Sequence, residues 1–298
     1  MTMLEFAEWG LAAAGVFVVL ALICDIAVLA KRARESAPAE VKENAAVGAR
    51  IITTSSGRID ERGPEAPHAV DRSRGLAWYG TAFVALALVL LTAYLIIRSI
   101  ETGYGPFTNQ HEFAVSFVWG ILAAYLVFEK LYNVRPLSLI VLPVAAAMTL
   151  YAMSLETGVR PLLPALQNNL LLTLHVGAAM LAYGAACVSF GAAVLYLTHP
   201  RIPFKKLLPR REMLGEIGYR AAVVTFPLLT LMLVLGAIWA DTAWGRYWGW
   251  DPKETAALVT WLIYAGYLHA RVVRGWRGEK AAWTLIVGFA AVLFAYFG

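Results

Sequence analysis

Apolar runs long enough to cross a bilayer, about 20 residues each, recur eight times along this chain. They lie near 9–30, 76–97, 113–132, 137–155, 169–198, 219–240, 254–273 and 281–298. The stretches between them turn abruptly polar and carry most of the prolines and charges. None of the runs alternates with period two as a barrel strand would. Each is therefore read as an α-helix, which satisfies its own backbone hydrogen bonds inside lipid. No internal repeat stands out. The expected fold class is all-α: a polytopic integral membrane protein of about eight transmembrane helices. Along the chain this gives an N-terminal anchor helix (1–30), a polar segment (31–75) and a transmembrane domain (76–298).

Composition agrees with that pattern, since 60% of the 298 residues are hydrophobic and only 15% are charged. Charge then orients the helices. With the N-terminus outside, the inward polar segments 31–75, 129–136, 199–220 and 271–280 hold 21 of the 25 Lys and Arg. The outward segments keep Arg98, Arg160, Arg246 and Lys253. The positive-inside rule predicts an N-out protein whose loop between the sixth and seventh helices faces the extracytoplasmic side. The net charge of +5 is thus a matter of topology and of the lipid bilayer's headgroups, with no nucleic-acid surface. Glu5 and Glu8 precede the first apolar run and Lys31, Arg32 and Arg34 follow it, which marks an anchor rather than a cleaved signal. Residues 31–75 are too polar for a core and are expected to be flexible or partly surface-helical on the cytoplasmic side, with His68 a solvated histidine. Cys24 and Cys187 sit inside predicted helices without Cys-x-x-Cys spacing, which argues against zinc or thiol–disulfide chemistry and leaves them as packing residues.

Candidate chemistry concentrates in residues 239–254. Trp239, Trp244, Trp248 and Trp250 fall within twelve residues, interleaved with Gly245 and Gly249. Tryptophan suits a membrane–water interface, where the ring is half buried and the N–H stays wet. Four on one loosened loop exceed what anchoring requires. They are expected to form a flat aromatic shelf for a large planar ligand with a charged edge, which Arg246 and Lys253 are close enough to meet. Asp251, Pro252 and Glu254 read as N-cap, N1 and N3 of the seventh helix.

Single polar residues inside the spans add candidates. Asp25 is either a functional group within a span or one half of a snorkelling ion pair with Lys31, six residues on. Asn109 and Glu112 read as helix-start chemistry, and His111 as a ligand candidate or an interfacial histidine. His175 lies six residues into its span, roughly 9 Å from the outer end, among Gly177, Ala178 and Ala179. His269 lies fifteen residues beyond Glu254, about 22 Å along the helix and so toward the inner leaflet. Arg271 marks the cytoplasmic end or pairs with an acidic ligand edge, and His199 is interfacial.

The run Trp244-Gly-Arg-Tyr-Trp248-Gly-Trp250-Asp251 resembles the signature of the WWD family of haem-handling membrane proteins. Its continuation Pro252-Lys253-Glu254-Thr255 is similar to the CcsA (ResC) branch, which serves System II cytochrome c biogenesis, whereas the CcmC and CcmF branches carry other residues after the Asp. Similarity extends to Pro106-Phe-Thr-Asn109, Phe226-Pro-Leu-Leu-Thr, Gly236-Ala-Ile-Trp239 and Tyr264 through His269-Ala-Arg271, covering roughly residues 104–298. The resemblance implies a cytochrome c synthase of haem lyase type. Such an enzyme moves haem b across the membrane and attaches it to an apocytochrome c carrying Cys-x-x-Cys-His. It implies a CcsB-like membrane partner, a thiol-reducing protein and residence in a bacterial plasma membrane, or a thylakoid membrane in a plastid. By the same resemblance His175 is an external-face haem ligand and His269 a membrane-embedded one, both on haem iron. Trp239, Trp244, Trp248, Trp250 and Arg246 then bind the cofactor, and Asp251 joins His175 as a catalytic candidate. The family continues past its last helix into an outward tail with a second external histidine, and this sequence stops at Gly298, where that tail would begin. Two other readings stay open: a haem exporter or delivery protein without synthase activity, and a structural haem-bearing subunit of a respiratory assembly.

Overall fold

In the computed structural model, residues 3–36, 72–158, 169–202 and 207–298 are described. They form α1 (Met3–Ser36), α2 (Arg72–Thr102), α3 (Gln110–Tyr132), α4 (Ser138–Met153), α5 (Asn169–Thr198), α6 (Arg211–Trp244), α7 (Pro252–Val273) and α8 (Glu279–Phe297). All eight are long and apolar enough to cross a membrane, and no strand occurs among the described residues. Most of the polar segment 31–75, with His68, lies outside the described residues, as do Gln167, Asn168 and Pro203. The helices outrun the apolar runs that announce them. α6 begins at Arg211, eight residues before its apolar run, because charged residues continue the helix where its end leaves the hydrocarbon.

α5 is the hub, packed against α6, α3 and α8, while α1 pairs with α2 and leans on α4. Its buried side is built of Ala178, Ala182, Ala185, Ala186, Ala192 and Ala193, with Cys187 fully buried among them. Small residues let backbones approach, which is what packs helices where lipid removes the hydrophobic drive. The approach is closest between α3 and α5. A Cβ added to Gly120 would overlap the Met180 carbonyl, and one added to Gly184 would overlap the carbonyl of Gly120.

Polar side chains tie the C-terminal ends of α2 and α4 to the N-terminal end of α3. Arg98 and Glu112, each 1% exposed, pair at 2.8 Å. Glu112 also accepts from the Thr108 amide and hydroxyl, while Arg98 donates to the Thr157 carbonyl at 2.6 Å. Asn109 caps α3 by accepting from the Glu112 amide at 2.8 Å, as its sequence position suggests. His111 differs from both expectations. It is buried, accepts from the Tyr94 hydroxyl at 2.7 Å and donates to the Ala152 carbonyl at 2.8 Å. With both ring nitrogens engaged, His111 is a structural pin between three helices, neither a free ligand nor an interfacial residue.

Asp25 does not snorkel toward Lys31. Its carboxylate is 3% exposed and lies against α2 at Gly80, where an added Cβ would come within 2.7 Å of Oδ1. The absence of a side chain at Gly80 is what admits it.

Candidate functional site

The seven residues 245–251 join α6 to α7, and both ends are fixed by local chemistry. α6 stops at Gly245, whose φ of 68° turns its amide back onto the Asp241 carbonyl at 2.8 Å. α7 opens on the capping box expected from the sequence: Asp251 accepts from the Glu254 amide at 2.8 Å, and Pro252 occupies the first turn. Glu254 reaches further than the motif requires. Its Oε2 accepts from the Asp251 amide at 3.4 Å and from the Gly249 amide at 2.7 Å.

The residue between those two amides is Trp250, held at φ 56°. A tryptophan in the left-handed region is costly and persists only where its surroundings fix it. Here Glu254 does the fixing, and the result is a ring 70% exposed at the start of α7. Gly249 serves a second purpose, since the Arg246 guanidinium lies over it, within 2.8 Å of where a Cβ would stand. Arg246 is exposed and forms no hydrogen bond or ion pair among the described residues. Lys253 is exposed as well.

The four tryptophans do not make one flat shelf, because they sort into two edge-to-face pairs. Trp239 and Trp244 meet at 4.8 Å and 75°, and Trp248 and Trp250 at 5.7 Å and 86°. This is the arrangement the ring quadrupoles favour. The first pair belongs to the α5–α6 side, where Trp239 packs on Phe107, Leu172 and Val176. The second turns toward α8. Trp250, Pro252, Thr255 and Val259 face Ala291 and Phe294 across an apolar groove of about 330 Å³. Trp248 Nε1 is buried without a hydrogen-bond partner among the described residues.

His175 is half buried on α5, one residue before Val176 of the patch under Trp239. Its Nδ1 lies 2.8 Å from the Met232 carbonyl of α6. A carbonyl only accepts, so Nδ1 carries the proton and Nε2 keeps its lone pair. The same carbonyl fixes the plane of the ring, the outer support a ligating imidazole requires. Gly236, one turn further along α6, makes the seat: an added Cβ would approach His175 Cε1 to 2.8 Å. His269 is placed otherwise. It is exposed on the face of α7 away from the buried Tyr264, Tyr267 and Ala270, and makes no hydrogen bond among the described residues. The two histidines therefore face different surroundings.

This arrangement offers an oriented imidazole lone pair, two aromatic pairs, one unmatched indole N–H and a free guanidinium, all near one end of the bundle. Those donors fit a large aromatic ligand carrying a ligand-accepting metal and acidic substituents. The loop and its capping box stand where the sequence predicts them. The Met232 carbonyl, the Gly236 seat and the second role of Glu254 are not legible in the sequence, where Gly236 and Gly249 are the one local signal for the last two.

A model of the cytochrome c assembly protein family matches residues 81–298, which takes in α3 through α8 and the whole site. A cytochrome c biogenesis protein CcsA from Guillardia theta is 34% identical over 251 residues, covering 76% of this chain and 83% of that protein. The CcsA of Microcystis aeruginosa is 35% identical over 274 residues, covering 74% of this chain and 83% of its own length. Among solved structures, a cytochrome c haem lyase CcmF superposes with a TM-score of 0.61 at 17% identity, a likeness of fold. All of this chain is covered there, and it spans 47% of that protein's length.

Proposed function

The chain belongs to the cytochrome c assembly protein family and its work is cytochrome c biogenesis; from that premise we propose that it is a cytochrome c synthase of haem lyase type. Haem b is its substrate, taken up on the cytoplasmic side and presented on the extracytoplasmic one, where it is joined to apocytochrome c. The observation that carries this reading is His175, whose Nδ1 is held by Met232 while Nε2 is left to ligate.

Haem brings two vinyl groups, and each takes up one thiol of a Cys-x-x-Cys-His segment by S–H addition across the double bond, leaving a thioether. No oxidant is consumed, and a thiol-reducing protein keeps both cysteines available. The residues of this chain bind and orient. His175 Nε2 holds the iron at the outer face. Trp239, Trp244, Trp248 and Trp250 supply edges and faces for the porphyrin, and Trp248 Nε1 and Arg246 supply donors for its propionates. Asp251 acts by fixing the start of α7, as Glu254 acts by fixing Trp250. His269, on the open face of α7, holds haem within the bilayer with a ligand from a CcsB-like partner. Catalysis is then chiefly proximity, since placing thiol and vinyl group together can supply about 7–11 kcal/mol of the barrier. The setting is a plasma membrane with the tryptophan loop outside.

Co-expression with an apocytochrome c and a CcsB-like protein tests the reading. Covalent haem on the apocytochrome, resistant to acid–acetone extraction, is the expected product. Haem bound to this chain with no thioether product would instead mark a haem-delivery or structural role.

A further inference from the structure

A second polar site lies in the other half of the molecule, where α1 to α4 meet near their inner ends. Glu129 of α3 is buried, and its Oε1 accepts from the Thr81 hydroxyl at 2.5 Å and from Arg135 Nε at 3.0 Å. Arg135 Nη2 also donates to Thr81 Oγ1 at 3.0 Å. Those bonds leave Glu129 Oε2 buried and without a partner among the described residues. The same holds for Asp25 Oδ1 of α1 and for Ser138 Oγ of α4. Ser138 is fully buried and lies beside Asp25, and Tyr125 is flanked by Asp25, Glu129 and Ser138. Tyr125 itself turns its hydroxyl to the Arg135 carbonyl, at 3.4 Å. Three oxygens from three helices thus face the same space, and only the Ser138 and Tyr125 hydroxyl protons are near enough to serve them.

Charge gives the same answer independently. Asp25 and Glu129 face one guanidinium, Arg135, the one cation among the described residues that acts on Asp25. Cys24, next to Asp25, and Tyr125 add no positive charge. Among the described residues the cluster thus sets two carboxyl groups against one guanidinium, inside a bundle that lipid surrounds, where an unmatched charge is costly. Arg135 is one-third exposed, so the cluster reaches the surface along that side chain.

We infer that Asp25 Oδ1, Glu129 Oε2 and Ser138 Oγ bind one monovalent cation, a sodium ion or a proton, which joins α1 to α3 and α4. Oxygen donors and a single missing charge suit an alkali ion. A proton on one carboxyl supplies the same charge and a donor for its neighbour. The site is separate from His175 and the tryptophan loop.

The test uses the full chain purified in detergent. Thermal unfolding is followed in sodium chloride against choline chloride at constant ionic strength, and then across pH without sodium. A protein that binds the cation only when folded gains stability with its concentration. The melting temperature is thus expected to rise saturably with sodium, or, if the occupant is a proton, to rise as the pH falls. Asp25→Asn should flatten whichever series responds. Ser138→Ala leaves every charge in place and guards against an Asp25 variant that fails to fold. It should raise the half-saturating concentration several-fold, or shift the pH response. Binding of radioactive sodium to the wild-type chain, absent in Ser138→Ala or Asp25→Asn, would identify the metal ion as occupant. Flat sodium and pH series, or responses identical in wild type and both variants, would overturn the inference and leave a pocket for water alone.

Discussion

Trp250 shows how one residue carries both a cost and a purpose. Its left-handed backbone, at φ 56°, costs about 1–2 kcal/mol for a non-glycine residue. Glu254, through the Gly249 and Asp251 amides, compels it. Trp250→Gly should therefore leave the melting temperature unchanged or raised while lowering the haem recovered with the purified protein. Trp248→Phe keeps the ring but removes the unmatched N–H, and should weaken haem retention by a smaller factor than Trp248→Ala. Full haem recovery in both Trp250→Gly and Trp248→Ala would reduce the tryptophans to an interfacial belt. The capping box was legible in the sequence because Asp251 and Glu254 are three residues apart and act on each other. His111 was not, because Tyr94 and Ala152 arrive from helices distant in sequence. For Asp25 the ion-pair reading fails for the same reason, since Lys31 is near along the chain but Gly80 is near in space, and the alternative of a functional group within the span is left.

At the scale of the helix, all eight spans were legible, since length and apolarity are local properties that the bilayer thickness selects. Their pairing was not, for a lipid-embedded stripe of Ala and Gly reads the same whichever helix covers it. The α3–α5 crossing is the plainest case. Gly120 and Gly184 allow backbone contact there, so any added side chain must part the helices. Gly184→Val should cost about 1–3 kcal/mol as overpacking and lower the unfolding temperature in detergent. Gly266→Ala, on α7 where an added Cβ meets nothing within 4 Å, should be neutral or stabilising by about 0.5–1 kcal/mol. Equal effects of the two substitutions would mean that the crossing does not hold the bundle. The flat shelf expected from the tryptophan spacing failed at this scale too. Trp239 and Trp244 follow the α6 axis, whereas Trp248 and Trp250 follow the start of α7.

For the whole molecule, the split of 21 basic residues in one set of polar segments against 4 in the other predicts the orientation on which every proposed assignment rests. In a background lacking Cys24 and Cys187, a cysteine at Thr242 should react with an impermeant reagent from outside, and one at Arg277 should be spared. The reverse pattern would invert the account. Within that orientation the two histidines stand at different depths. His175 is six residues, about 9 Å, into α5, and His269 is seventeen residues, about 25 Å, into α7, both counted from the same side of the membrane. They also face different surroundings, the first seated against α6 and the second open on the surface of α7. No single iron spans that separation, so the central claim is that haem passes through two stations. The most direct measurement is the haem absorption spectrum of purified His175→Gly and His269→Gly proteins, each with and without added imidazole. The expected result is asymmetric. His269→Gly should lose most haem, because the inner station feeds the outer. His175→Gly should retain haem with altered axial ligation and fail at attachment, with imidazole restoring the ligand field. Identical and complete haem loss in both variants would contradict the account and leave a single site.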